Sequence, residues 1–262
     1  MAINAQGEPG RIRLFYDFYG EDSIANTAAL RSLGPFCVGG QGSEDTDAGV
    51  PTIAGILSGA GRITTTNEVD HTTMVGTQAA FDVALSGTLV LETRVQMENL
   101  DTKEVFIGFS DIAPETLSIQ TNVVHGDTAT ITNETDVLTG ATATITNTAS
   151  DFVGFFLSAE LSDDEDWHAV YNGGTASAVT TSTSLDLDDD AVAGEWQILK
   201  LEVAPNGDTR WYVDGDLKKT VAGAASTSVN LGLCVGVEAK GNAIETLDVD
   251  YILVKANRDW NA

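Results

Sequence analysis

The chain has 262 residues, within the range of a single β-sandwich or barrel, and its 42% hydrophobic residues can fill a core, which excludes a disordered chain. Thirteen Lys and Arg against 39 Asp and Glu give a formal charge of −26. So acidic a surface repels phosphate backbones and anionic lipid, so neither nucleic acid nor membrane is an expected partner.

Helical periodicity is nearly absent, and Thr, Val, Gly and Ser recur in short alternating runs. Residues 1–10 have no basic or apolar stretch of a secretory leader, and no apolar run is long enough to span a membrane; synthesis in a cytoplasm is expected. A first strand is predicted near residues 13–18. Residues 20–60, rich in Gly, Ser, Asp and Ala, read as long loops, so 1–60 is taken as a strand and loop-rich arm packed on a main domain of 61–262. In residues 88–97, Leu89, Leu91, Thr93, Val95 and Met97 share one face and Glu92, Arg94 and Gln96 the other, the pattern of an antiparallel strand with one wet face. Residues 105–109 and 152–157 are mostly apolar and read as central strands covered on both sides.

Between them lies an insertion, about 111–150, with an internal repeat. Gly126-Asp127-Thr128-Ala129-Thr130-Ile131-Thr132-Asn133 recurs as Gly140-Ala141-Thr142-Ala143-Thr144-Ile145-Thr146-Asn147. Two Thr-rich strands and a short loop predict a hairpin. Its apolar mass is small, so it leans on the sandwich or projects toward a neighbour. Further on, residues 196–203 alternate, Asn206-Gly207 makes a turn, and Asp214-Gly215 joins 209–213 to 217–221 as a meander. The last strands are 231–237 and 247–254; in the latter Leu247, Val249, Tyr251 and Leu253 are expected on one face, Asp248 and Asp250 on the other. The sum is an all-β chain, a two-sheet antiparallel jelly-roll sandwich.

Candidate chemistry is sparse. Cys37 and Cys234 read as buried small hydrophobes, although spacing alone leaves a bridge open. His71, His125 and His168 follow no metal or triad spacing. Asp163-Asp164-Glu165-Asp166 and Asp186-Leu187-Asp188-Asp189-Asp190 offer the oxygen ligands calcium prefers but lack a calcium-loop motif; they read as solvated loops, with a loop calcium left open and no cofactor expected. Trp167, Trp196, Trp211 and Trp260 with Tyr212 read first as core or sheet packing; Trp196, Trp211 and Tyr212 are the candidates for stacking a glycan.

Strand 196–203, the turn Asn206-Gly207, the hairpin Trp211-Tyr212-Val213-Asp214-Gly215 and the closing Leu247-Asp248-Val249-Asp250-Tyr251 resemble the concanavalin-A-like lectin/glucanase superfamily. Phe106-Ile107-Gly108-Phe109-Ser110-Asp111, Asp151-Phe152-Val153-Gly154-Phe155 and Trp167-His168-Ala169-Val170 resemble head-associated proteins of tailed phages. The glucanase branch carries Glu-x-Asp-x-Glu on one strand. Here Glu245-Thr246-Leu247-Asp248-Val249-Asp250 lacks that spacing and its second Glu, so no catalytic residue is expected. The resemblance implies a virion structural protein decorating a capsid surface, with the major capsid protein as partner and a homo-oligomer such as a trimer as the assembly. Candidate contacts are Arg11 and Arg13 in the arm and Thr130, Ile131, Thr144 and Ile145 in the hairpin. The alternative it implies is a carbohydrate-binding module.

Overall fold

The computed structural model describes residues 10–19, 24–25, 31–56, 59–126 and 142–258. Alternating apolar runs leave each strand with one face to hide, and the chain hides them between two nine-stranded antiparallel sheets. Sheet one runs Asp216–Val221, Thr209–Val213, Gln197–Val203, Leu89–Gln96, Thr246–Asn257, Gly61–Thr64, Gly49–Val50, Ile24–Ala25; Arg11–Tyr16 flanks the C-terminal half of Thr246–Asn257. Sheet two runs Asp186–Asp190, Asp166–Asn172, Phe152–Ser158, Lys103–Ser110, Asn230–Ala239, Thr72–Gly76, Phe36–Gly39, Arg31–Leu33, with Phe81–Asp82 on the start of Asn230–Ala239. This is the expected jelly-roll sandwich.

The inner faces meet as the sequence pattern dictates. Leu89, Leu91, Thr93 and Val95 alternate as buried positions with half-buried Val90, Glu92, Arg94 and Gln96. The rings of Tyr171 in sheet two and Trp211 in sheet one lie 6.2 Å apart, and Trp167 Nε1 donates to Gln197 Oε1 at 3.0 Å. Each large ring buried here contributes about 2 kcal/mol.

Two expectations need revision, and one question left open by the sequence is settled. First, the loop-rich arm supplies strands to both sheets: Arg31–Leu33 and Phe36–Gly39 extend sheet two, while Arg11–Tyr16 and Gly49–Val50 join sheet one. Second, the last strand carries a β-bulge between Val249 and Tyr251. One extra residue reverses the alternation, so Ile252, Val254 and Ala256 continue the inward series of Leu247 and Val249 while Tyr251 and Leu253 turn outward. Third, Cys37 and Cys234 are free thiols, each paired in register with Gly76 from opposite sides. Two strand spacings of about 4.8 Å put them beyond the reach of a disulfide, about 7 Å between Cα atoms.

The outer face of sheet two is also covered. The segment 111–126 and residues 142–150 fold over it, pairing Val124–Gly126 with Ile145–Asn147 and burying Ile119, Val123, Val124 and Ile145. That short ladder is the base of the predicted hairpin; residues 127–141 lie outside the described residues. Among the described residues no helix is long and apolar enough to cross a membrane.

Candidate binding face

Charge is distributed very differently on the two outer faces. On sheet two, Glu104 and Glu238 are direct cross-strand partners and both are fully buried. Lys240 Nζ is their counter-ion, 4.0 Å from Glu104 Oε2, 3.7 Å from Glu238 Oε1, 3.8 Å from Glu160 Oε2 and 2.8 Å from Asp70 Oδ1. The overlying segment completes the shell. Gly126 N–H donates to Glu104 Oε1 at 2.9 Å, and Ser118 Oγ to Glu238 Oε2 at 2.8 Å. Burial pushes Glu104 up to about 8 against the pull of Lys240, and burial raises Glu238 as well. For Lys240, burial works against the ammonium, but Glu104, Glu238, Glu160 and Asp70 outweigh it and hold the pKa above the ordinary lysine value. Paired carboxylates are the tools of glycoside cleavage, yet these two are sealed from a substrate.

Sheet one presents an open outer face. Arg11, Arg13, Arg62, Arg94, Lys200, Arg210 and Lys255 project from it, more than half of the chain's 13 Lys and Arg residues. Arg62 binds Asp248 bidentately at 2.7 and 2.8 Å, and Arg94 donates to Asp250 at 3.0 Å while lying 4.9 Å over the Trp196 ring. Lys200 pairs with Glu202 at 2.6 Å and lies 4.8 Å over Tyr212, whose hydroxyl donates to Glu202 at 2.9 Å.

One corner of this face is less balanced. Arg13, Lys255, Val90, Glu202 and Arg210 form a row of cross-strand partners, Arg11 stands beside Arg13, and the Arg258 amide closes on Gly10 at 2.9 Å. Arg13, Lys255 and Arg258 are exposed and, among the described residues, have no carboxylate partner; Arg13 lies 5.7 Å from the centroid of the Phe15 ring.

The candidate residues read from the sequence therefore part company. Arg11 and Arg13 are exposed at this corner. Thr144 is exposed and bridged to Thr181, but Ile145 is fully buried against sheet two and is not a partner contact. Thr130 and Ile131 lie outside the described residues, as does Trp260. Trp196 and Tyr212 are half-buried on the open face. Trp211 is not a stacking platform: it is fully buried, and its Nε1 donates to the Gly154 carbonyl at 2.8 Å.

The two aspartate runs meet, because Asp166 pairs in register with Asp190. Burial, the hydrogen bond to Asp190 and the charges of Asp186, Asp190 and Asp163 push Asp166 up to about 7. Beside this pair, Glu98, Asp101, Glu165 and Asp190 line a shallow depression of about 300 Å³. Sequence reading missed Lys255, Arg258 and the Glu104–Glu238–Lys240 group. The signal for that group was there: Lys103-Glu104 opens an apolar strand, and Glu238-Ala239-Lys240 closes its partner.

No family model matches the sequence, and no curated protein matches it. Among solved structures the chain is similar to a protein of unknown function from Shewanella oneidensis MR-1, at 11% identity and a TM-score of 0.54 over 100% of this chain and 92% of that one. It is also similar to peanut lectin (11% identity, TM-score 0.49, 94% of this chain and 97% of that one). A carbohydrate esterase of the Shiga toxin-encoding bacteriophage phi24B follows at 15% identity and a TM-score of 0.47, covering 90% and 97%. At such identities the likeness speaks for the fold alone, a two-sheet antiparallel β-sandwich.

Proposed function

We propose that this chain is a non-enzymatic binding module of a virion surface, a decoration protein seated on the major capsid protein of a tailed-phage head and stabilising it by spanning neighbouring subunits. The observation that carries the reading is the basic corner of the open sheet face, Arg11, Arg13, Arg210, Lys255 and Arg258, in a chain whose charge is −26. A molecule so polarised is steered with that corner toward an acidic partner and its acidic remainder outward. The resemblance of residues 106–111, 151–155 and 167–170 to head-associated proteins supports the virion setting, and a trimer on local three-fold positions is the assembly that fits it.

The test is quantitative mass spectrometry of purified particles. The reading expects a simple ratio of this chain to the major capsid subunit, and expects Arg13→Glu with Lys255→Glu to reduce attachment to stripped capsids. Absence from particles, or attachment indifferent to both reversals, overturns it. A second reading, carbohydrate binding, is favoured by Trp196 and Tyr212 lying half-exposed on that same face. A glycan array without signal, with and without calcium, removes it.

A further inference from the structure

We propose that Asp45, Glu68 and His71 form a site for a divalent transition-metal ion, with the Thr66 hydroxyl as a neutral fourth donor. The site joins two loops at one end of sheet two and shares no residue with the basic corner, so either proposal can fail alone. Its focus is the Nδ1 atom of His71. Asp45 Oδ2 lies 3.2 Å from it, Glu68 Oε2 3.1 Å and Thr66 Oγ1 3.1 Å, and the nitrogen and both carboxylate oxygens fall within 4.8 Å of one another.

Hydrogen bonding does not account for this convergence. A ring nitrogen carries one proton or one lone pair, and so makes one strong hydrogen bond, weakened toward each oxygen if it is shared. Neither Asp45 nor Glu68 has a Lys or Arg partner among the described residues. Two carboxylates this close repel each other, all the more in a chain of charge −26. A metal ion resolves all of this, taking one lone pair from the imidazole and one from each carboxylate. One nitrogen with two carboxylate oxygens suits Zn²⁺ and its first-row neighbours; calcium prefers an all-oxygen shell.

The framework holds the imidazole in place. Gly42, at φ +90°, lies against the ring so closely that a Cβ there would stand 2.5 Å from Nδ1. The His71 carbonyl accepts from the Ala239 amide at 3.1 Å, tying the loop to the central strand Asn230–Ala239. Glu68 is oriented by its own amide, which donates to Thr66 Oγ1 at 3.3 Å.

Calorimetric titration of the full chain with ZnCl₂, in excess MgCl₂ to occupy the diffuse acidic surface, tests the site. One saturable Zn²⁺ site is expected, weakened roughly tenfold or more by His71→Gln and by Glu68→Gln. Glu68 is largely exposed and its neutral amide relieves the repulsion with Asp45, so Glu68→Gln should not lower the metal-free unfolding midpoint and separates loss of the site from loss of the fold. No saturable site, or equal affinity in both variants, overturns the assignment, the latter leaving the ions to the acidic surface or to Cys37. Calcium binding as tight as zinc binding, unaffected by His71→Gln, overturns it too.

Discussion

The outer faces of the two sheets begin from the same alternation of apolar and polar residues and end as opposites. On sheet one the outward residues stay wet, and their charges pair across strands at the surface, where each pair is worth about 1 kcal/mol or less. On sheet two the outward residues are covered by the chain's own insertion, so Glu104, Glu238 and Lys240 are held out of water and must be satisfied from within. Burial changes what a charge does. On the open face charge is available to a partner; on the covered face it is committed to the fold, and removing one member strands the others.

The largest expected effect is therefore Lys240→Met. It leaves Glu160 and Glu238 without the ammonium they share and should cost about 3–5 kcal/mol in denaturant unfolding. Glu104→Gln is the contrasting change. Glu104, pushed up to about 8, is protonated at neutral pH, so a neutral amide of similar shape should shift stability by less than about 1 kcal/mol. A large loss from Glu104→Gln would mean the buried carboxyl is ionised and the contrast between the faces is drawn wrongly. Next comes Ile145→Ala, which removes the buried anchor of the hairpin base and should cost about 2–4 kcal/mol. A merely surface-laid hairpin would tolerate it.

How much of this was legible in the sequence follows the same division. Alternation in 88–97 and 196–203 named the wet and dry sides of sheet one correctly, because one face there meets water and period two survives. On sheet two both faces are buried, alternation vanishes, and 103–110 reads only as apolar with two charges at its start. The bulge after Val249 was hidden for another reason. It is a one-residue change of register, visible only in hindsight as apolar residues at 247 and 249 followed by 252, 254 and 256. Trp211 and Tyr212, neighbours in sequence, were grouped as one platform although successive strand residues point to opposite faces. The Asp45–Glu68–His71 group was out of reach, since two loops 20 residues or more apart meet only in the fold.

A smaller effect tests the aspartates between the extremes. Asp166 is raised to about 7 in the folded chain against an ordinary 3.8. The folded state then holds a proton that the unfolded state has released, so stability falls as pH rises from about 4 to about 7 and is level above that. Asp190→Asn removes the like charge and keeps a hydrogen-bond partner. It should flatten that slope and stabilise the chain above pH 7 by about 1 kcal/mol, discounted because solvent reaches the pair. Thermal unfolding at pH 5 and pH 8 reads both slopes; an unchanged difference between the two would detach Asp166 from Asp190.

The smallest expected effect on stability is also the sharpest test of the open face. Arg13 and Lys255 are exposed and, among the described residues, without carboxylate partners, so Arg13→Glu with Lys255→Glu should move the unfolding free energy by about 0.5 kcal/mol or less. Beside them the only acidic member of the row is Glu202, already held by Lys200 at 2.6 Å. Adding two carboxylates there creates modest repulsion screened by salt, whereas at Glu104 the same charge would be trapped. If the double variant instead unfolds by several kcal/mol, the corner is part of the structural framework, and its cations are no more available to a partner than Lys240. If stability holds while association with an acidic partner weakens steeply with added salt, the corner works as a surface charge reserve, which the covered face by its construction cannot be.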